Sequence, residues 1–227
     1  MNKIKEYWNI LTNLEKECIL VSFSLIIIFS MILHDSKIAV FNAFLGIMYT
    51  TLAGKGKIDC FYFGICGSAL YAFLSFRNAL WGNMFLYLLY YIPMQFLGLI
   101  NWGKNLNKSN KTVIKSKLNN SERFYYGVIT FLISVFTIYI LNIAGDKSPI
   151  FDGITAIFSV TGMILTVKRK MEQWVLWMIV NGMSAFMWTG VAIQGERVYS
   201  TVVMWLVYFI LSINFFFLWR KELNGKI

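Results

Sequence analysis

Residues 172–188 read EQWVLWMIVNGMSAFMW, an apolar run interrupted by the carboxamide of Asn181. The run is close to the length that a helix needs to cross a bilayer, roughly 20 residues. Similar runs recur along a chain of 227 residues that is 58% hydrophobic and 14% charged, with a mean hydropathy of +0.60. A soluble domain cannot bury that much apolar surface, so the sequence predicts an integral membrane protein.

Eight segments are apolar enough to cross a bilayer as helices, and they predict an all-α membrane fold with eight transmembrane helices. They are residues 18–34, 38–54, 58–76, 81–101, 124–141, 150–167, 173–193 and 199–219. The fourth segment is interpreted as one span although it contains Pro93, because a helix in lipid tolerates a kink.

The distribution of basic residues predicts the orientation of the chain. With eight spans and the N-terminus inside, only four cations fall in outer segments: Lys37, Arg77, Lys147 and Arg197. The other 17 of the 21 Lys and Arg residues then fall in cytoplasmic segments. This positive-inside asymmetry predicts that both termini are cytoplasmic, and it explains the net charge of +10 without nucleic-acid binding. The basic loop 103–123 is a further candidate for contact with anionic lipid headgroups.

The fourth and eighth spans share a pattern that suggests an internal repeat. Four positions recur 117 residues later, pairing Tyr91 with Tyr208, Gln95 with Ser212, Gly98 with Phe215, and Trp102 with Trp219. The second and sixth spans cross in the same direction, so two three-helix units built in this way are parallel. Duplications of this kind place a solute site between the halves, near the midplane.

This repeat defines a predicted domain organisation. A cytoplasmic N-terminus and leading transmembrane helix (1–37) precede a first three-helix repeat (38–104). A basic cytoplasmic loop and linker helix (105–149) lead to a second repeat (150–221) and a cytoplasmic tail (222–227). The polar loop between the fourth and fifth spans is interpreted as a tether between the two halves.

Two polar stripes follow from helical spacing. Positions 174, 177, 181, 184 and 188 share one face of the seventh span, and they hold Trp174, Trp177, Asn181, Ser184 and Trp188. Gln95 lies on the corresponding stripe of the fourth span, between Tyr91 and Trp102. An unpaired amide in lipid costs several kcal/mol, so Asn181 and Gln95 are predicted to face the protein interior or a wet cavity.

Two interpretations of these amides remain open from the residues alone. In the first, each amide bonds across a helix interface, which stabilises by about 0.6 kcal/mol on average. In the second, they line a site for a flat polar solute, because amides donate and accept and tryptophan faces suit an aromatic or cationic ring. The candidate binding residues are Trp177, Asn181, Gln95, Tyr91, Ser184, Tyr208, Ser212, Trp174 and Asn214.

Other aromatic and small residues are predicted to have structural roles. Trp102 and Trp219 lie beside Lys104 and Lys221, and Trp188 lies near the outer end of its span. All three are interpreted as anchors in the interfacial aromatic belt. The glycines Gly98 and Gly182 are predicted to allow close helix packing.

Several classes of chemistry are disfavoured by what the spans lack. All eleven acidic residues fall in loops or near span ends, which leaves no midplane carboxylate for a proton or sodium relay. No GxxxxGK[ST] motif and no catalytic constellation at membrane depth occur. The cysteines have no metal-ligand spacing, so no metal or cofactor is expected. The prediction is a passive carrier rather than an enzyme.

These motifs resemble those of the PnuC vitamin transporters. The resemblance rests on Trp177-x-x-x-Asn181 in WVLWMIVN, on the YxxxQxxGxxxW pattern of the fourth span, and on two triples joined by a single helix after a leading helix. It covers residues 38 to 221. The family pattern continues with a second Trp three residues after the Asn, where this chain has Ser184, and Trp188 follows one turn later.

The resemblance implies a fold like the SWEET sugar transporters, with two parallel repeats in one chain. It implies facilitated uptake of nicotinamide riboside, trapped afterwards by intracellular phosphorylation, in a bacterial inner membrane and as a homotrimer. Thiamine and riboflavin remain alternative substrates. A vitamin-binding subunit of an ATP-driven importer is an alternative of another class, although such subunits usually have six spans.

Overall fold

The computed structural model describes residues 2–33, 37–77, 81–146, 148–194 and 199–225. Lys147 and Arg197, two of the cations assigned to outer segments, lie outside these ranges. The regular structure within them is helical: α1 Asn2–Asn9, α2 Asn13–Leu33, α3 Lys37–Gly54, α4 Cys60–Arg77, α5 Trp81–Leu86, a π-helical segment Tyr87–Tyr91, α6 Ile92–Lys104, α7 Asn120–Ile143, α8 Pro149–Val167, α9 Gln173–Ile193 and α10 Tyr199–Leu223.

Each predicted span coincides with a helix or, for the fourth, with the continuous series α5, π-helical segment and α6. In the described residues, Met84–Lys104, Asn120–Ile143, Pro149–Val167 and Thr201–Leu223 are long and apolar enough to cross a membrane. Val40–Gly54 and Cys60–Phe73 are shorter apolar helices. The chain is therefore a multi-pass membrane protein, and the count of eight crossings stays a prediction. Helix α1 was not predicted.

The π-helical segment lies immediately before Pro93, which occupies the first turn of α6. Proline lacks an N–H, and its ring clashes with the carbonyl four residues earlier in a regular α-helix. A widened π turn relieves this conflict, so the helix continues through Pro93 without a break. The long fourth segment is thus one helical element, as its hydropathy predicts.

Two tryptophans are buried between helices near one end of the bundle. Trp102 and Trp219 are both 0% exposed. Trp102 Nε1 donates to the Thr166 carbonyl of α8 at 2.9 Å, and Trp219 Nε1 donates to the Gly54 carbonyl of α3 at 2.7 Å. The prediction that they are belt anchors is therefore wrong. The last carbonyls of a helix have no hydrogen-bond partner within that helix. Here buried indole N–H groups donate to two of these carbonyls.

The chain turns from α3 into α4 (the first turn) and from α8 into α9 (the second turn) with the same backbone. Gly56 and Arg169 both have positive φ angles, +69° and +59°. Gly56 N–H donates to the Ala53 carbonyl at 3.0 Å, and Arg169 N–H donates to the Thr166 carbonyl at 2.9 Å. Residues at equivalent positions of the two turns lie 113 apart in the sequence.

Residues 105–119, which we call the strap, cross this end of the bundle between α6 and α7. Val113 N–H donates to the Gly56 carbonyl of the first turn at 2.8 Å. Ser116 N–H donates to the Arg169 carbonyl of the second turn at 2.9 Å. The strap thus bonds to the equivalent residue in each turn. We call this the strap end of the bundle.

The strap also contributes to the core. Val113 and Leu118 are buried, and Val113 belongs to the same apolar cluster as Trp102 and Trp219. The polar composition of this segment predicted a tether. Its packing shows that it covers the ends of helices from both halves of the chain, which a solvated tether would not do.

Helix α2 is joined to the rest of the strap end by a buried carboxylate. Glu15 is fully buried, and its carboxylate lies 2.7 Å from the Lys55 ammonium of the first turn. Asn214 of α10 donates to Glu15 Oε1 at 3.0 Å, and the Thr12 N–H donates to Oε2 at 2.8 Å. One side chain therefore holds together α2, the first turn and α10.

Candidate solute site

The amide of α9 bonds to α10 in the interior of the bundle. Asn181 is 5% exposed, and its Nδ2 donates to Ser212 Oγ at 2.9 Å. Ser212 Oγ donates in turn to the Tyr208 carbonyl at 2.7 Å. The Tyr208 hydroxyl abuts Gly46 of α3, where any side chain would collide with it. Tyr208 thus reaches from the second predicted repeat to the first.

The amide of α6 lies in a different set of contacts. Gln95 is 4% exposed and packs against Gly64 of α4, which leaves no room for a larger residue there. The Tyr49 side chain of α3 faces the Gln95 amide, and its hydroxyl donates to the Met163 sulfur of α8 at 3.7 Å. Gln95 Oε1 has no hydrogen-bond partner within the described residues.

Tyrosines connect these two sets. Tyr91 donates to Ser159 Oγ of α8 at 2.8 Å. The Tyr87 ring stacks on Tyr71 of α4 with centroids 4.4 Å apart and lies 4.7 Å from the Tyr91 ring. Tyr87 is also within electrostatic range of the Tyr208 hydroxyl. Tyrosine hydroxyls and rings from both predicted repeats are therefore found in the interior near Gln95 and Tyr208.

Two of the three tryptophans of the α9 stripe, Trp174 and Trp177, are candidate site residues, and they differ in their surroundings. Trp177 is half-buried, its Nε1 donates to Thr166 Oγ1 at 3.2 Å, and its ring lies against Gly162 of α8. Trp174 is buried and packs edge-on against Trp219, with centroids 5.8 Å apart. Trp174 Nε1 has no partner within the described residues. Trp174 is thus part of the apolar core at the strap end.

Of the remaining candidates, Ser184 is buried on the same stripe as Asn181. Asn214 belongs elsewhere, because its Nδ2 donates to the Glu15 carboxylate. The structure therefore does not bring Asn214 to the Asn181 and Gln95 contacts, and we leave it out of the proposed site. The prediction that both amides face the interior is confirmed by their burial.

The chain matches the family model described as nicotinamide mononucleotide transporter over residues 36–221. It is 31% identical over 193 residues to a protein of Neisseria mucosa named nicotinamide riboside transporter PnuC, covering 82% of this chain and 73% of that relative. A protein of the same name from Haemophilus influenzae is 30% identical over 189 residues, with 82% and 80% covered. This chain belongs to the PnuC family.

The fold is also that of a PnuC structure. A crystal structure described as the vitamin B3 transporter PnuC superposes with a TM-score of 0.80 at 28% identity, covering 95% of this chain and 94% of that one. The family consists of membrane transporters. The resemblance that the motifs of the fourth and seventh spans indicated is thereby confirmed at the level of the PnuC family.

Sequence reasoning missed part of this PnuC interior. Asn42, Gly46 and Tyr49 are spaced by four and three residues and so share one face of α3. Asn42 Oδ1 is buried without a partner in the described residues and lies close to Gly67 of α4. The helical spacing of these three residues was a usable signal. Tyr87 carried no such signal, because it lies among apolar neighbours in the sequence FLYLLYY.

Proposed function

We propose that this chain carries nicotinamide riboside across the membrane by facilitated diffusion. The observation that carries the proposal is the buried Gln95 amide, whose Oε1 is available as an acceptor beside tyrosine rings. Nicotinamide riboside offers a carboxamide N–H to such an acceptor, a cationic ring to aromatic faces, and ribose hydroxyls to tyrosine or serine. The names of the PnuC relatives point to the same substrate.

The proposed contacts fall into three groups. Gln95 and Asn181 recognise the carboxamide, Trp177 stacks on the ring, and the hydroxyls of Tyr91, Tyr208, Ser212 and Ser184 meet the ribose. Asn181 already donates to Ser212, as the packing interpretation predicts, so it takes part through its oxygen or by exchanging that bond. Gln95 is therefore the principal polar contact, and Trp174 is a supporting residue rather than a ligand.

Alternating access by two parallel three-helix repeats, 38–104 and 150–221, completes the proposed mechanism. Equivalent positions in the two turns both have positive φ angles and make corresponding backbone hydrogen bonds within the turn. Equivalent tryptophans, Trp102 and Trp219, each donate to the end of a helix in the other repeat. These paired features support a SWEET-like duplication, with eight crossings including the leading helix, and rocking of one repeat against the other.

Net uptake then depends on chemistry after transport. Among the described residues, no cluster of three His, Cys, Asp or Glu side chains is able to hold a metal ion. We propose that phosphorylation of the riboside inside the cell traps it, so that the carrier needs no coupled ion. The basic asymmetry of the chain supports a bacterial inner membrane location with cytoplasmic termini and a cytoplasmic strap end. A homotrimer is the proposed assembly.

Uptake into liposomes tests this proposal directly. Purified protein reconstituted without ATP is expected to equilibrate radiolabelled nicotinamide riboside, and excess thiamine or riboflavin is expected not to compete. Competition by either vitamin would change the substrate and keep the carrier. Absence of flux without an energised partner would instead favour the subunit of an ATP-driven importer.

Variants locate the site through their affinity for the riboside. Gln95→Leu keeps the side-chain volume but removes a hydrogen bond that contributes about 1 to 1.5 kcal/mol, so affinity is expected to fall about tenfold. Asn181→Ala and Trp177→Ala are expected to weaken binding in a tryptophan-fluorescence titration. Asn142→Leu, at an exposed amide of α7, is the matched control. Unchanged affinity in all three site variants would refute the site.

A further inference from the structure

A groove of about 600 Å³ lies between α7 and α8, apart from the proposed solute site. Helix α7 packs mainly along α8, and its apolar side chains are exposed over most of its length. The groove is lined by Tyr125, Ile129 and Ile133 of α7 and by Ile157, Val160 and Ile164 of α8. In a membrane this surface faces lipid.

The length of the groove corresponds to one leaflet. It extends along α7 from Ser121 at the strap end to Ile133, and twelve residues of helix rise by about 18 Å. Half of the hydrocarbon core of a bilayer is about 15 Å thick. The groove therefore extends from the headgroup region to about the midplane. A transmembrane helix of a second copy would cross both leaflets and extend beyond this groove, whereas one acyl chain occupies a single leaflet.

The interior of the groove favours an apolar occupant. Its polar lining at membrane depth is the pair Thr130 and Thr161, whose hydroxyl oxygens lie 3.0 Å apart and bond to each other. Since these hydroxyls satisfy one another, the groove does not require a polar ligand there. An acyl chain fills such a space without leaving a polar group unpaired.

The strap end of the groove offers a cation. Lys168 of the second turn donates from its ammonium to the hydroxyl of Tyr126, a residue of the groove wall, at 2.7 Å. The neighbouring cations are paired with carboxylates: Arg123 lies 2.8 Å from Glu172, and Lys170 lies 3.7 Å from Glu122. Within the described residues, Lys168 has no ion pair, although Glu122, which also lines this end of the groove, is close enough to interact with it electrostatically.

The first turn shows what an equivalent lysine does when a carboxylate is present. Lys55 is 113 residues before Lys168, and its ammonium lies 2.7 Å from the buried Glu15 carboxylate. The same backbone position in the second turn instead directs a lysine to a neutral hydroxyl beside an apolar groove. This position suits a negative charge that is delivered by a membrane component.

We propose that the α7–α8 groove binds an anionic phospholipid from the strap-end leaflet. One acyl chain lies along Ile129 and Ile133, and the headgroup phosphate accepts hydrogen bonds from Lys168 and from the Tyr126 hydroxyl. The lipid fixes α7, the helix between the two predicted repeats, against α8.

Native mass spectrometry of the full chain in detergent tests the proposal, with phosphatidylglycerol and phosphatidylcholine of the same acyl chains as probes. We expect one phosphatidylglycerol per chain to be retained at least tenfold more tightly than phosphatidylcholine. Lys168→Ala, which removes the phosphate contact, and Ile129→Trp, which fills the groove, are each expected to weaken this retention at least fivefold. Lys221→Ala, at an exposed cation on α10, is the matched control.

Three results of the retention assay would overturn the proposal. They are equal retention of the two lipids, loss in the Lys221→Ala control as large as in Lys168→Ala, and unchanged retention in Ile129→Trp. Cysteine crosslinking between copies through position 129 gives an independent readout. Efficient crosslinking in membranes would assign the groove to a second copy of the chain, whereas its absence together with lipid retention supports the proposal.

Discussion

The first and second turns share a backbone and differ in what surrounds their side chains. The backbone hydrogen bonds within each turn correspond, and Gly56 and Arg169 take the same left-handed conformation. The second lysine of each turn also behaves alike: Lys57 donates to the Asn110 carbonyl and Lys170 to the Lys117 carbonyl, both in the strap and both at 3.3 Å. The backbone frame is thus present twice, and the strap bonds to it twice.

The first lysine of each turn has a different partner in the two regions. Lys55 is held by the buried Glu15 of α2, whereas Lys168 meets the Tyr126 hydroxyl beside an open groove. A residue at the same backbone position therefore serves packing in one half and faces the membrane in the other. Backbone equivalence thus identifies paired positions, while the surrounding helices determine the contacts of each side chain.

The largest expected effect tests whether the paired tryptophans are energetically equal. Trp102→Ala and Trp219→Ala each remove a fully buried indole and a hydrogen bond to a helix end, so each is expected to cost about 3 to 5 kcal/mol. Chemical unfolding in detergent measures both. Trp8→Ala, at an exposed tryptophan, is the control and should change little. A cost confined to one of the two buried sites would show that the halves are unequal.

The next effect separates the two lysines. Lys55→Ala leaves the buried Glu15 carboxylate without its cation and is expected to cost about 3 kcal/mol. Lys168→Ala alters an exposed side chain and should stay within about 0.5 kcal/mol. The same unfolding assay compares them. Adding Glu15→Gln to Lys55→Ala should recover part of the loss, because the uncompensated charge is removed. Equal losses of unfolding free energy in Lys55→Ala and Lys168→Ala would contradict the different roles assigned to the two lysines.

Much of this fold follows from the sequence because hydropathy and helical spacing are local signals. The helices coincide with the predicted segments, and Asn181 and Gln95 are buried because lipid has no partner for an amide. Trp102 and Trp219 were assigned wrongly since a tryptophan beside a lysine is typical of the interfacial belt as well. Only the position of another helix end, 64 or more residues away in the sequence, distinguishes the two cases.

The strap end was least accessible to prediction, because its contacts are distant in sequence. Asn214 bonds to Glu15, 199 residues away, and nothing near either residue indicates that pairing. The composition of the strap is that of a polar loop, and its sequence does not distinguish the buried Val113 and Leu118 from the exposed Ile114. The Asn42, Gly46 and Tyr49 face of α3, by contrast, was visible in the spacing and was overlooked beside the more aromatic stripes.

A smaller effect tests the shared left-handed conformation. Gly56→Ala places a Cβ at positive φ and 3.3 Å from the Lys115 side chain, so it is expected to cost about 1 to 2 kcal/mol. Arg169→Gly relieves backbone strain but removes the guanidinium bond to the Ile114 carbonyl, and these effects nearly cancel. Unfolding free energies of the two variants provide the measurement. A neutral Gly56→Ala would show that the first turn relaxes.

The smallest effect concerns a contact that one half has and the other lacks. The Lys115 ammonium lies 2.6 Å from the Glu222 carboxylate and 4.9 Å above the Trp219 ring. Because Glu222 is exposed, Lys115→Ala is expected to cost only about 1 kcal/mol near neutral pH, and Lys117→Ala, at an exposed strap lysine, should cost nothing. A loss in Lys117→Ala as large as in Lys115→Ala would assign the effect to the net charge of the strap.

The difference in stability between the wild type and Lys115→Ala should also depend on pH. Burial lowers the pKa of Lys115 despite its contact with Glu222, so above the folded pKa the unfolded chain binds more protons than the folded one. Stability of the wild type, relative to Lys115→Ala, should therefore rise as the pH increases toward the unfolded value of about 10.4. A stability difference that stays constant across this range would mean that Lys115 is as well solvated in the folded protein as in the unfolded chain. Contact with the Trp219 ring would then not remove water from the Lys115 ammonium.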